Sequence, residues 1–262
     1  MIRLQIVMTI LLVVAGLGMT TSCATLSRGA ADVLVPVEEE VRLGREMHRE
    51  LAQELEFSND RRLVSYVEEL GQEVLAEATY PRGLEFRFYV VDDPDMINAF
   101  AIPGGGIYVF TGLLKVMENE AELTAVLGHE IAHVTRRHIA QRLVAIYGLE
   151  VVSQMALGQE PGLLGQLVRA VVGQGFMLSY SRDQERDADR WGVRYQAAAG
   201  WNPQGFITFF QKLDGRPSPP TFLSTHPAPA DRIRDIRGHI DELDRVPTEL
   251  GERRFQQMTE GI

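Results

Sequence analysis

The chain has one cysteine, Cys23, among 262 residues. Structural disulfides are therefore excluded, and any metal site must use nitrogen and oxygen donors. Basic clusters are missing too. With 26 Lys and Arg against 36 Asp and Glu, the net charge is −10. No basic stripe offers a footprint for a phosphate backbone, which argues against nucleic acid as a partner. Internal repeats and low-complexity linkers are absent from the sequence, and its first uncharged stretch, Leu4–Met19, is short for a membrane-spanning helix. Hydrophobic residues make up 45% of the chain, enough to give the remainder one core of single-domain size.

The N-terminus reads as a signal peptide over residues 1–22. Met1-Ile2-Arg3 carries the positive charge, the apolar run follows, and Thr20-Thr21-Ser22 supplies small residues before Cys23. This resembles a lipoprotein signal with Cys23 as the lipidated first residue, although Thr20 stands where such signals usually carry Leu. Ala24, rather than Asp, follows the cysteine. The expectation is a periplasmic protein held by a lipid anchor in the outer membrane of a Gram-negative bacterium. Residues 23–36 then read as a linker, 37–250 as one domain and 251–262 as a C-terminal tail.

The densest signal is His129-Glu130-Ile131-Ala132-His133, an H-E-x-x-H pattern. On a helix, two imidazoles at i and i+4 share a face and can grip one metal ion. The glutamate sits about 100° around the axis, within reach of a water on that metal. Helical context is present: Asn119 is a cap with Glu122 three residues on, and Leu123, Val126, Leu127, Ile131 and Val134 fall at helical spacing.

A second helix opens at Ser181, with Gln184 completing a capping-box pattern. Glu185 and Asp189 are i and i+4 and share one face. One carboxylate can complete a His₂Glu site and the other can accept the free N–H of a ligand histidine. Arg182, Asp183, Arg186, Asp187 and Arg190 also fit a solvated charged face.

The segments Asn98–Gly112, Glu122–His133, Ser181–Asp189 and Ser224–Pro227 resemble, in order, the M48 group of zinc metallopeptidases, gluzincins related to the Oma1 and HtpX proteins. The likeness is greatest to small periplasmic members. It implies that His129, His133 and Glu185 bind one Zn2+ per chain, that Glu130 is the catalytic base, and that Asp189 orients a ligand. It also brings His226 toward the metal as ligand, gate or transition-state donor. As the residue before Pro227, His226 can equally cap a helix starting near Ala228. Tyr180 and Arg232 are further candidates to steady a developing oxyanion.

Helices are expected over Glu38–Glu56, Asp60–Thr79, Asn119–Arg137, Ile139–Leu157, Gly162–Met177, Arg182–Ala199, Pro203–Leu213 and Ala228–Leu243. Glu85–Val91 alternates as a half-buried strand does, and Asn98–Ile102 and Ile107–Phe110 flank a Gly-rich turn as a hairpin. The fold class is thus α+β and predominantly helical. A small antiparallel sheet is expected beside the H-E-x-x-H helix in a zincin-like domain. Asn98, Ala99 and Phe100 would lie on an edge strand that adds a substrate strand through backbone hydrogen bonds. Leu143–Leu178, apolar and broken at Gly158–Gly162, reads as a buried helical hairpin; a membrane-contacting lid is the alternative.

These readings converge on a zinc-dependent endopeptidase acting on unfolded or misfolded envelope proteins. The competing expectations are a chaperone-like binder of such proteins with gated or marginal proteolysis, and a purely structural zinc site, which would have no need of Glu130. Substrate identity and oligomeric state leave no trace in the sequence.

Overall fold

The computed structural model of the chain describes residues 35–174, 180–214, 220–226 and 229–262. Cys23, the signal peptide 1–22 and nearly all of the linker 23–36 lie outside the described residues.

Two amphipathic helices lead. α1, Val37–Glu54, places Glu38, Glu39 and Glu40 in its first turn, where they meet the positive end of the helix dipole. In α2, Arg61–Ala76, the Asp60 carboxylate accepts from the backbone N–H groups of Arg62 and Leu63 and closes the N-terminus. Three strands follow: β1 (Arg87–Val91), β2 (Ala99–Ala101) and β3 (Gly106–Phe110). β2 and β3 form the expected antiparallel hairpin around a turn in which Gly104 takes φ 81°. β1, however, runs parallel to β3, and the order is β1-β3-β2. The sheet is mixed, not antiparallel as the sequence suggested. The hairpin signal fixes only its own two strands, and β1 joins the free side of β3 because the chain between them first crosses to build β2. Nor does β1 alternate to its end: Val91 is buried along with Val90, where Phe57 bridges to it.

A short helix α3 (Thr111–Leu114) leads to α4 (Glu120–Thr135), which carries the H-E-x-x-H residues. Asn119 caps α4 by accepting from the Glu122 N–H at 3.0 Å. Glu122 does not close the box; it meets Lys212 at 2.7 Å and Thr208 at 2.8 Å. The expected single apolar face is an understatement, since every residue from Glu120 to Thr135 is buried. A helix buried all round is the centre of its domain.

α5 (His138–Tyr147), α6 (Leu149–Ala156) and α7 (Pro161–Gln174) come next. The single helix expected over Ile139–Leu157 is split at Gly148, whose φ of 78° ends α5. Leu143, Val152, Met155, Leu164, Leu167 and Val168 are buried, α6 and α7 pack on α1, and Ile146 and Leu157 stay exposed. Among the described residues, no helix is long and apolar enough to cross a membrane.

α8 (Arg182–Ala198) has the full Ser181–Gln184 capping box. The remaining helices are α9 (Gln204–Asp214), α10 (Thr221–Thr225), α11 (Pro229–Asp241) and α12 (Glu252–Thr259). Thus the residues read as a tail, 251–262, contain a helix whose Phe255 is buried. The chain just before it also caps α4, with the Leu250 carbonyl accepting from the Ala121 N–H at 3.1 Å. Short length and a single core anchor hide this helix from its sequence pattern.

Candidate metal centre

α4 and α8 cross with almost no side chain between them. A Cβ on Gly128 would lie 3.0 Å from the Gly192 carbonyl oxygen, and one on Gly192 would lie 3.0 Å from the His129 nitrogen. This close approach carries the glutamate face of α8 onto the histidine face of α4. Helical spacing then puts Glu185 between the two histidines and Asp189 behind the first.

The result is a buried cluster of donors from His129, His133, Glu185 and His226, all within 4.8 Å of one another. Nε2 of His129 lies 3.0 Å from Nε2 of His133 and 3.1 Å from Nδ1 of His226. The Glu185 carboxylate lies 3.1 Å from Nδ1 of His226, 3.4 Å from His133 and 3.6 Å from His129. Four donors about 2.1 Å from a tetrahedral zinc would stand about 3.4 Å apart. Three imidazole nitrogens and a carboxylate at these separations fit that ion. Their lone pairs would face one another unfavourably with no cation between them.

Behind the cluster, Asp189 and Arg232 fix His129. Nδ1 of His129 lies 3.0 Å from the Asp189 carboxylate, so it carries the proton and leaves Nε2 as the free donor atom. Arg232 binds Asp189 through Nε at 2.8 Å, Glu185 through a terminal nitrogen at 2.8 Å, and the His226 carbonyl at 3.2 Å. Its guanidinium also lies over the Phe210 ring at 4.4 Å. Sequence position offered Arg232 as an oxyanion donor, whereas the structure turns it onto the carboxylates. Tyr180 stacks on the His133 ring, centroids 3.7 Å apart.

Burial sets the charges. It pushes the Glu130 carboxyl up to about 7, with Glu185 adding to the rise and His226, Arg232 and the Ala101 backbone opposing it. Both Glu130 oxygens are buried, with the Ala101 backbone N–H facing the carboxylate and Nε2 of His226 3.3 Å from it. Burial would also raise Glu185 and Asp189, but Arg232 beside them wins and holds both below the usual range. His129 is lowered to about 4 by burial and by the Arg232 charge, and His133 is lowered well below its ordinary value by burial. In His226 the same burial is outweighed by Glu185 and Glu130, which raise it.

β2 runs along this centre as the edge of the sheet. Its pairing, with the Phe110 N–H bonded to the Asn98 carbonyl and the Ile102 N–H to the Gly106 carbonyl, turns Asn98, Phe100 and Ile102 toward β3. By strand alternation, Ala99 and Ala101 turn their backbone groups to the open edge. Of the three residues read as substrate-binding, only Ala99 offers backbone outward. Ala101 escapes the sequence reading, although counting by twos along the strand from Ala99 reaches it. The edge is also covered: Asn98, Ala99 and Phe100 are buried, and the Phe222 N–H bonds the Ile97 carbonyl at 3.1 Å. From Phe222 the chain runs through α10 to His226 beside Glu130.

The sequence pattern of peptidase family M48 matches residues 62–240. The chain is 32% identical over 232 residues to the beta-barrel assembly-enhancing protease of Yersinia pestis, covering 84% of this chain and 47% of that protein. The protein of the same name from Escherichia coli is 31% identical over 228 residues, with 82% and 46% covered. The mitochondrial metalloendopeptidase OMA1 of Schizosaccharomyces pombe is 30% identical over 218 residues, with 79% and 63% covered. The chain therefore spans about half the length of the bacterial relatives it matches. It belongs to peptidase family M48.

Proposed function

We propose that this member of family M48 is a zinc-dependent endopeptidase that hydrolyses peptide bonds of unfolded or misfolded envelope proteins. In this reading His129, His133 and Glu185 hold one zinc ion per chain. Zinc in such a site acidifies a water and polarises the scissile carbonyl. Glu130 takes the proton and passes it to the departing amine. Asp189 and Arg232 keep Nε2 of His129 on the metal side. Tyr180, stacked on the face of His133, is the candidate donor to the developing oxyanion. A substrate segment adds to β2 through Ala99 and Ala101 and is read as extended backbone, which favours unfolded chain over one sequence. The bacterial relatives are named for enhancing beta-barrel assembly, which supports a role for this chain alongside beta-barrel proteins. Location in the periplasm, with a lipid on Cys23, completes the reading.

The observation that carries it is the buried Glu130 carboxylate set beside a four-donor cluster. A purely structural zinc site has no use for that group. The test is cleavage of reduced casein by a form starting at Ala24, with zinc content measured on the same sample, beside Glu130→Gln. Cleavage by the parent and none by a mutant that still holds one zinc supports the endopeptidase. One zinc in both and cleavage in neither favours a second reading.

That second reading is a gated or chaperone-like binder, and a specific observation favours it. His226 puts Nδ1 among the ligands and Nε2 against Glu130, the place a reacting water needs. Phe222 meanwhile occupies the Ile97 carbonyl on the substrate edge. The segment from Phe222 to His226 then holds the site shut until substrate or a partner displaces it.

A further inference from the structure

The two ligand histidines of α4 are supported differently. His129 has a carboxylate, Asp189, on its Nδ1. His133 has another imidazole: Nδ1 of His138 lies 3.1 Å from Nδ1 of His133, the two rings edge to face with centroids 5.1 Å apart. Nε2 of His138 in turn lies 3.2 Å from the Asp187 carboxylate, which also binds Nε of Arg136 at 2.9 Å. His138 is 1% exposed and His133 fully buried.

We propose that His138 is a positioning residue for the metal centre, and that Asp187–His138–His133 is a relay fixing the tautomer and ring angle of His133. The inference rests on the reading that His133 ligates through Nε2. Protons then have only one consistent placement. If Nε2 of His133 keeps its lone pair for a metal, Nδ1 carries the hydrogen. That N–H donates to Nδ1 of His138, which must therefore be a lone pair. The His138 proton sits on Nε2 and donates to Asp187. Any other arrangement sets two hydrogens or two lone pairs face to face across 3.1 Å.

The local fold is built to deliver this contact. α4 ends at Thr135, Arg136 stays helical, and Arg137 takes φ 58°, a left-handed conformation unfavourable for a side-chain-bearing residue. The turn starts α5 at His138 and brings its ring back onto the face of α4 that holds His133. The strain is held by a buried ion pair at 2.9 Å from Arg137 to Glu40 of α1, with a further bond from Arg137 to the Val35 carbonyl. On the other side, α8 presents Glu185 to the metal cluster and Asp187 to His138, two residues apart on one helical turn. One helix thus serves both the ligand set and the support of His133. Gln184 ties the junction with a bond to the His138 carbonyl at 3.4 Å.

The experiment uses the full chain and two readouts. Zinc affinity is measured by competition with a chromophoric chelator for the parent, His138→Leu, His138→Gln and Asp187→Leu. The His133 tautomer is read from nitrogen chemical shifts of histidine-labelled, chelator-treated protein. His138→Leu is expected to weaken zinc about 10- to 100-fold, the range for lost ligand support, and to scramble the His133 tautomer. His138→Gln, whose carbonyl still accepts and whose amide still donates, is expected to recover most of both. A fold defect would lower the melting temperature of both His138 variants without separating them. Unchanged affinity and an unchanged tautomer in His138→Leu would overturn the relay. If the parent binds no zinc, the peptidase reading fails by itself, while the tautomer of the chelated parent and variants still decides the relay.

Discussion

The site is made from two regions of opposite character. α4 and α8 meet backbone to backbone at Gly128 and Gly192, deep in the core, and supply His129, Glu130, His133, Glu185 and Asp189. The covering region is chain folded back over them: the five-residue α10 with His226 at its end, and Arg232 from α11. In the first region, position follows from helix spacing, and the packing of two long helices fixes it. In the second, position follows from what the side chains bind: His226 from the ligands and Glu130, Arg232 from Asp189 and Glu185. The helix pair is set up to keep its geometry whatever is bound. The covering segment is anchored in the core by Phe222, which packs on Phe209 and Phe210, while its His226 end is held by polar contacts that a substrate can compete for.

The sharpest way to break that contrast is to remove the Arg232 charge, which joins the two regions. Arg232→Met fills similar volume but leaves Glu185 and Asp189 buried without a cation. Stranding buried charges costs roughly 3–5 kcal/mol, so the variant should lose that much in urea unfolding of chelated protein. A loss under about 1 kcal/mol, well short of that cost, would mean the two carboxylates are accommodated by other groups and the regions are less coupled than the contacts indicate. Next in size is the helix pair alone. Gly192→Ala puts a methyl 2.9 Å from the Phe206 ring and 3.0 Å from the His129 nitrogen. Overpacking of this kind costs about 1–3 kcal/mol, and it should also weaken zinc by moving α8 away from α4. Unaltered zinc affinity with lowered stability would separate packing from ligand geometry.

A smaller and more local effect is expected on metal removal. Chelation should raise amide exchange across Phe222–His226 more than across Glu120–Thr135, because the short α10 ends on a cluster residue, His226, whereas α4 is buried along its whole length. Equal changes in both would put the metal in the role of general fold stabiliser and erase the distinction between the regions.

The same division decides what is legible in the sequence. The helices of the first region carry caps, apolar spacing and a motif, so Asn119, Ser181 and the His–Glu–His order locate them from residue pattern alone. The pairing of Glu185 and Asp189 is likewise visible as an i, i+4 face. What stays hidden depends on long-range geometry. The parallel pairing of β1 follows from where β2 is inserted, not from the β1 pattern. The break at Gly148 turns on the backbone angle of one residue inside an apolar run. Arg232 is singled out by its place in the motifs as an oxyanion donor, but its carboxylate partners, Asp189 and Glu185, are not legible there. His138 looks like a residue suited to the end of a helix, because nothing in H-x₄-H announces a left-handed turn at Arg137 between the two rings.

The last test settles which way the covering region acts, because its two readings predict opposite signs. As a gate, His226 competes with the reacting water and with substrate. His226→Ala would then open the site, and casein cleavage should rise by about tenfold, equivalent to ~1.4 kcal/mol, with zinc retained by the other three ligands. As a transition-state donor, His226 stabilises charge that develops only during reaction, and its loss should cut turnover about 100-fold or more with little change in substrate binding. The geometry favours the first outcome: Nδ1 of His226 already sits 3.1 Å from both Nε2 of His129 and the Glu185 carboxylate, and its Nε2 lies 3.3 Å from the Glu130 carboxylate. A group that must donate to substrate would point into open space beside the cluster, whereas this one is inside it. Restoring the block by tethering Phe222 to Ile97 through a pair of introduced cysteines, in a chain whose only native cysteine is Cys23, should silence His226→Ala under oxidising conditions and release it on reduction. Activity indifferent to that tether would show that the segment can stay on the substrate edge during turnover, and that gating resides in the His226 ring alone.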